Sequence, residues 1–383
     1  MKMGPLVQRA PEPHGRGEKH LLASWRSEGY HGKRTAHSTI SEDTKSRVTH
    51  LSPLSIVIVN WNTRDHLARC LRSLHAYAPA GGAEIIVVDN ASSDGSAAYV
   101  REEWPSVTLI ANRENRGFAG GVNDGLHAAR GAYLLVLNPD IQVHEHCLET
   151  LARFLDDRQG VAAVMPALYG SDGRPQSDYV RKLPTLPQVI FFHTMLAPAA
   201  RRIPLLVRRY LEAEIPPDAS SIEVAQIPGA CLMTRRSVVD AVGEMDESFL
   251  LFFEDVDWCA RMRSRGWTLM LDRGASATHA GGSSFQGEAR IWQTGRFMVS
   301  LARYFEIHTT PLQAFLAKGL ILCNSAAAVF ARRVVLLLMG DDPAGERRFS
   351  YMRHRQVLSM FRHGGGAGSD PGLPVTDRAG TAS

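Results

Sequence analysis

Several common chemistries find no support in this chain. Its five cysteines, Cys70, Cys147, Cys231, Cys259 and Cys323, fall without CxxC spacing. An odd, scattered set argues against a full disulfide framework and a zinc site, and a reducing cytosol is the simplest compartment. There is no GxGxxG fingerprint and no GKS/T phosphate loop, so dinucleotide oxidoreductase and P-loop ATPase chemistry lose their usual signatures. Residues 1–50 are polar, rich in His, Arg, Ser and Gly, and lack the apolar segment of a secretory signal. A formal charge of +4 over 383 residues, with no arginine stripe interleaved with aromatics, gives no case for nucleic acid. Nor is there a charge-free apolar run of the roughly 20 residues that a membrane span requires. Leu312 to Met339 comes nearest, but Lys318, Asn324, Arg332 and Arg333 interrupt it. That pattern fits either a packed helical pair or a helix lying on a membrane with its arginines toward lipid headgroups.

What is present is an alternation of strands and helices. Hydrophobic residues make up 44 % of the chain, enough for a sizeable core in one large domain or two ordinary ones. Leu54 to Asn60, Glu84 to Asp89, Val107 to Ala111, Ala132 to Leu137 and Val161 to Met165 are short apolar runs that read as buried strands. Between the first four lie a helix from Thr63 to Ala78, with Leu67, Leu71 and Leu74 on one face, a helix capped by the Ser92–Gly95 turn, and a glycine-entered helix from Gly117 to Ala129. The first half is therefore a parallel, Rossmann-like α/β sheet. A helix follows from His144 to Asp156. Tyr169 to about Val224 is expected as a long irregular insertion able to cover a site. Strand character resumes from Val224 to Thr234, and a helix from Asp255 to Arg265 closes on Gly266. Trp267 to Leu271 and Ala275 to His279 read as short strands, and Ile291 to Tyr304 as a helix.

Three stretches carry candidate chemistry. Glu254, Asp255 and Asp257 crowd directly after the apolar Phe249–Phe253. Carboxylates against an apolar wall suit a general base, because partial burial raises their proton affinity. The same three acids also suit a solvated first helical turn, where the macrodipole favours negative charge. Asp140 follows a strand in Asn138-Pro139-Asp140, where an open α/β sheet places its ligand. A carboxylate there can hold Mg2+ or Mn2+, with Asn138 offering a neutral oxygen and His279 a nitrogen if the ion is Mn2+. His279 also fits a hydrogen-bonded structural role. Asp89 ends a strand at the same sheet edge and can accept from a base or ribose, whereas Asn90, Ser92 and Asp94 also fit a turn and helix cap. The glycines from Gly117 to Gly125 let backbone amides approach a phosphate at a helix N-terminus.

In order, these motifs resemble family 2 glycosyltransferases of the GT-A fold, especially a rhamnosyltransferase-like branch. The matching text is Ser55-Ile56-Val57-Ile58-Val59-Asn60-Trp61-Asn62, Val87 to Ser96, Asn115 to Asn123, Leu137 to Asp140, Pro228 to Arg236, Gly243 to Phe249 and Phe252 to Cys259. The resemblance spans about Leu54 to Ser284. It implies inverting transfer of a sugar from a nucleotide diphosphate, with dTDP-L-rhamnose or a UDP-sugar as donor. The implied acceptor is a cell-envelope glycan or polyprenyl-diphosphate-linked sugar, met by a peripheral protein at the cytoplasmic membrane surface. It makes Asp255 the base and Glu254 its neighbour, and sets Asp89 beside the nucleobase. Asp140 becomes the surviving second acid of a DxD motif in which Asn138 replaces the first. The donor would lie among Asn60, Asn62, Asp89, Asn90, Asn115, Gly117, Phe118, Asn123, Asn138, Gly229 and Ala230. The competing class is a non-catalytic membrane-associated binding protein on the same sheet, which has no need of both Asp255 and Asp140. The expected division is a disordered extension over 1–50, a GT-A domain over 51–285, a helical and membrane-associated segment over 286–345, and a flexible tail over 346–383.

Overall fold

The computed structural model describes residues 53–176, 181–211, 218–249, 251–281, 288–341 and 346–362. The expectations for residues 1–50 and for the tail beyond Arg362 lie outside these. All the described residues belong to one compact unit.

Its centre is a nine-stranded sheet in the order β3-β2-β1-β4-β8-β6-β9-β5, with β7 paired to β9. The strands are β1 (Leu54–Asn60), β2 (Glu84–Asp89), β3 (Thr108–Ala111), β4 (Tyr133–Leu137), β5 (Ile141–Val143), β6 (Val161–Tyr169), β7 (Ser221–Glu223), β8 (Cys231–Arg235) and β9 (Thr268–His279). β5, β7 and β8 run against the others, so the sheet is mixed and mostly parallel. β1 and β4 are buried along their whole length, which is why their sequences are continuous apolar runs rather than alternating ones. Helices α1 (Arg64–Ala76), α2 (Ser96–Glu103), α3 (Gly117–Ala128) and α4 (Cys147–Asp156) connect and cover these strands. α1 turns Leu67, Cys70, Leu71 and Leu74 inward. α3 lies so close to β1 that a Cβ on Gly125 would stand 2.2 Å from Val57 Cγ1. All five cysteines are free thiols.

Three short helices, α5 (Leu186–Phe192), α6 (Ala197–Ala200) and α7 (Pro204–Tyr210), occupy the stretch expected to be irregular. α5 starts at a reciprocal Thr185–Gln188 capping box with Pro187 in its first turn, a local signal that is legible in the sequence. The strand expected from Val224 to Thr234 is interrupted. β7 ends at Glu223 and β8 begins at Cys231, because Pro228 has no N–H for a ladder and Gly229 lies against Phe118. The two expected short strands at 267–279 are a single β9, which stays paired with β6 through a register shift at Pro166/Ala167.

The C-terminal half departs further from expectation. After α8 (Arg236–Val242) and α9 (Glu254–Ser264) come α10 (Glu288–His308), α11 (Pro311–Met339) and α12 (Glu346–Arg362). α11 is one continuous 29-residue helix rather than a helical pair. Its Lys318, Arg332 and Arg333 are exposed and do not break it, since charged side chains on an open face cost a helix little. By length and composition it could cross a membrane. Residues 346–362 are helical rather than a flexible tail, because Val357 is buried and Phe361 packs between α10 and α11. These helices share a second core with α5 and α9, built from Val189, Phe249, Phe253, Leu301, Phe305 and Ile321 among others. The division expected at residues 285/286 therefore does not divide the packing.

Gly125→Ala should destabilise the protein by about 1–3 kcal/mol through overpacking against Val57. The better helix propensity of Ala would offset only about 1 kcal/mol. Urea unfolding of the variant checks this, and an unchanged midpoint would show that α3 can lift off β1 freely.

Candidate active site

The carboxyl ends of β1, β2, β4, β6 and β9 all open onto one edge of the sheet, and antiparallel β8 begins there. Asn60, Asp89, Asn138, Asp140 and His279 reach this edge because each ends or follows a strand of fixed register, and Ala230 because it leads into β8. Leu137 pairs with Cys231, and Asn138 N–H donates to Ala230 O at 2.9 Å. Ile141 pairs with His279, which sets Asp140 beside that imidazole.

The β1–β2 corner is tied by amides. Asn60 Nδ2 donates to Asp89 Oδ1 at 2.9 Å, and Ser92 N–H donates to Asp89 Oδ2 at 3.0 Å. Asp89 is buried with both oxygens engaged. Asn62, in the left-handed region at φ 51°, accepts from Ser93 N–H, and its own N–H donates to Ser92 Oγ. Asn90 donates to Gly117 O at 2.8 Å and accepts from Asn112. Asn115 Oδ1 accepts from Gly117 N–H at 2.9 Å, fixing the glycine entry to α3. Asn123 makes its hydrogen bonds to a different segment. It is buried, exchanges hydrogen bonds with the Met245 backbone at 2.9 and 3.1 Å, and donates to Glu247. Its place is that of a clamp on the 245–247 segment. Arg116 pairs with Asp124 and, at 3.0 Å, with Glu247 on that same segment.

The acids of α9 arrive from the other side. Asp255 Oδ2 accepts from Gly229 N–H at 2.8 Å, and a Cβ on Gly229 would lie 2.7 Å from the Phe118 ring. Phe118, Gly229 and Asp255 are thus in direct contact, and Ala230 links them to Asn138. Phe252 and Phe253 immediately before the acids both have positive φ, 65° and 72°. Bulky residues rarely adopt this conformation, which costs about 1–3 kcal/mol each. Phe253 is held by Phe297 and Tyr304, at ring separations of 5.1 and 5.9 Å, and Phe252 by Phe297 at 5.9 Å.

The three carboxyls are not a solvated helical turn. Glu254 and Asp257 are buried and Asp255 is half-buried. Burial, followed by the neighbouring Asp255 charge, pushes Glu254 well above the usual carboxylate range, and its Oε2 has no hydrogen-bond partner. Burial also raises Asp255, although the Gly229 and Val256 amides pull the other way. Asp257 differs. Its burial is outweighed by His308 at 2.7 Å and Arg261 at 2.8 Å, so it is held below the usual range as a structural anion. His308 belongs to α10 and no nearby sequence signal points to it.

Asp140 Oδ2 lies 3.5 Å from His279 Nε2, and Asp140 Oδ1 is buried without a hydrogen-bond partner. Its burial penalty is outweighed by His279, and then His66, leaving it below the usual range. Gln176, a residue no motif marked, meets His279 Nδ1 at 3.0 Å and donates to His279 O at 3.1 Å. A ring nitrogen engaged in this way orients the other one. Among the described residues no group of three or more His, Cys, Asp or Glu side chains forms a protein-only metal cage. One orphaned carboxylate oxygen beside an oriented imidazole instead fits a cation that takes its remaining ligands from water and a diphosphate.

A mostly parallel sheet completed by antiparallel strands, with acids converging on its carboxyl edge, is the GT-A architecture of glycosyltransferases. Residues 55–242 match the family described as Glycosyl transferase family 2. This region of the chain belongs to that family, and the protein is a glycosyltransferase. Over 237 residues it is 27 % identical to N-acetylglucosaminyl-diphospho-decaprenol L-rhamnosyltransferase of Mycobacterium tuberculosis, covering 59 % of this chain and 75 % of that one. Over 224 residues it is 25 % identical to the low-salt glycan biosynthesis hexosyltransferase Agl10 of Haloferax volcanii, covering 57 % and 64 %. A mannosyltransferase of Pyrobaculum calidifontis, solved with GDP-Man and Mn2+, superposes with a TM-score of 0.47 at 15 % identity over 82 % of this chain and 87 % of that one. That likeness is too distant to carry an assignment. Glu254 and Asp255 lie beyond the family match, so their roles rest on geometry.

The Glu254–Asp255 pair makes stability depend on pH in a stated direction. Both carboxyls are raised in the folded protein. The folded state therefore keeps protons that the unfolded chain has released, and stability falls as pH rises from about 4 through the pair's raised range. Glu254→Gln removes one buried charge. It should stabilise the protein at pH 7 by about 1 kcal/mol or more, and the gain should vanish near pH 4. Urea unfolding at both pH values reads this, and an equal gain at both would exclude ionisation as its cause.

Proposed function

We propose that this protein is an inverting glycosyltransferase that moves a sugar, L-rhamnose from dTDP-L-rhamnose, onto a hydroxyl of a polyprenyl-diphosphate-linked cell-envelope glycan precursor. The carrying observation is the meeting of Asp255, Gly229 and Phe118 on the sheet edge that also holds Asp140. The transferred sugar and the acceptor class are those in the name of the mycobacterial relative; the dTDP carrier is what the sequence resemblance implies. The protein would work peripherally at the cytoplasmic face of the membrane.

In this reading Asp255 accepts the proton of the acceptor hydroxyl as its oxygen attacks the anomeric carbon from the face opposite the departing diphosphate. A single displacement needs no covalent nucleophile, and proton removal needs a base with raised affinity in a partly dry site, which is the environment of Asp255. Glu254, buried beside it, is available to sugar hydroxyls, and burial is what keeps the affinity of Asp255 high. Asn60, Asn62, Asp89 and Asn90 shape the nucleobase side. The buried Asp89 acts chiefly by holding the Asn60–Ser92 corner. Asn115, Gly117 and Phe118 at the start of α3, with Asn138, Gly229 and Ala230 opposite, flank the diphosphate and sugar. Asp140 and His279 would hold Mg2+ or Mn2+, which when bound neutralises charge on the leaving diphosphate.

A sugar-nucleotide turnover screen on the full-length protein, with dTDP-rhamnose set against UDP-sugars, identifies the donor. Asp255→Asn should keep nucleotide binding and lower kcat by roughly a hundredfold or more. Near-normal turnover would remove Asp255 from the chemistry. Asp140→Ala should abolish the dependence of nucleotide-diphosphate binding on Mn2+ in calorimetry. Wild-type binding that is equally tight in excess EDTA would show that no cation works here.

A further inference from the structure

Among the described residues two apolar surfaces are bare, and both carry charge of one sign. On α11 the side chains of Phe315, Phe330, Leu337 and Leu338 are 72 to 80 % exposed, and Leu205 at the start of α7 is 75 % exposed. Fully solvated aromatics and leucines of this number are unusual on a surface with no partner. Residues 181–211 and 311–339 contain no Asp or Glu. Arg201, Arg202, Arg208, Arg209, Arg332 and Arg333 are all exposed on them. The two surfaces are joined where Met195 N–H, in the exposed turn before α6, donates to Asn324 Oδ1 of α11 at 2.7 Å.

We propose that the α6–α7 segment and the outer face of α11 form one docking surface for an anionic lipid bilayer. Apolar side chains interleaved with arginines are the composition that seats a helix at the boundary of headgroups and acyl chains. The arginines complement anionic headgroups. Other occupants fit less well. A second copy would bring the same arginines face to face. Residues 1–52 hold nine Lys and Arg against five Asp and Glu, so they share the sign of the surface. α11 lies on the bilayer and does not span it. Its inner face, Ala314, Ala317, Ile321, Ser325 and Ala328, is packed against the protein, and surrounding the helix with lipid would dismantle the second core. That core also contains Phe253, next to the Glu254–Asp255 pair. The surface makes specific, and so rests on, the peripheral placement proposed above, but it is drawn from exposure and charge and not from the donor or acceptor.

The test is flotation of the full-length protein with vesicles of phosphatidylcholine alone and of phosphatidylcholine with about one third phosphatidylglycerol, at low and high salt. Binding should require the anionic lipid and weaken with salt, because screening shortens the reach of the arginines. Leu205→Glu and Leu337→Glu should each weaken it, and Arg332→Glu with Arg333→Glu should weaken it roughly tenfold or more. All these positions are exposed, so circular dichroism and nucleotide binding should be unchanged. Turnover on a water-soluble acceptor should persist in the same variants, which separates docking from chemistry. Conversely, Asp255→Asn should bind vesicles normally. Absence of binding to anionic vesicles at low salt, or binding that none of the variants alters, overturns the proposal. A dimer by light scattering that Leu337→Glu breaks, without vesicle binding, assigns the face to a second copy and also overturns it.

Discussion

The packing of Phe253 against Phe297 and Tyr304 is the contact on which the site depends. Two successive aromatics in the left-handed region are conformationally costly, and the chain adopts them only because the second core fixes both rings. The turn they make aims the first residues of α9 at the sheet edge. Without it, Asp255 would not meet the Gly229 amide, and Glu254 would rotate out toward water. Strain at Phe252 and Phe253 and burial of the acids are two sides of one arrangement.

The C-terminal helices therefore serve the acids directly. α10 supplies Phe297 and Tyr304 to the turn, and His308 to Asp257. Three carboxyls within four residues end with opposite proton affinities for that reason. Asp257, given a cationic partner in Arg261 and a hydrogen bond from His308, stays ionised. Glu254 and Asp255, without a cation, are pushed toward the protonated form. The same helices present the bare basic face of α11 on their far side, so one bundle braces the acids and offers a surface.

The corner between β1, β2 and α3 relies largely on neutral groups arranged around the buried Asp89. Asparagine amides at 60, 62, 90 and 112 tie the ends of β1 and β2 to the start of α3 through hydrogen bonds of 2.7 to 3.2 Å. Amides donate and accept without carrying charge, so they tie this corner together without adding charge of their own. Farther along the sheet edge, the open oxygen of Asp140 and its neighbouring imidazole suit a cation.

Much of this was legible in the chain. Uninterrupted β-branched runs at 54–60, 84–89 and 133–137 can be satisfied only by strands buried on both faces, and the glycines of 117–125 only by a helix pressed onto them. The order of acids and asparagines along these elements follows from local spacing, so the sheet edge with Asp89, Asp140 and Asp255 was accessible to sequence reasoning. Tertiary structure decided what depends on residues far apart in the chain. It turned Asn123 into a clamp on Met245, gave His279 its Gln176 partner and Asp257 its His308. It made one helix of 311–339 and folded 346–362 onto it. None of these has a local signature, because a side chain's proton affinity and exposure are set by whatever packs against it. The pattern of hydrophobicity determined where the chain would fold; the contacts between distant segments determined which of its acids would be ionised, which would be held back, and which apolar face would remain uncovered.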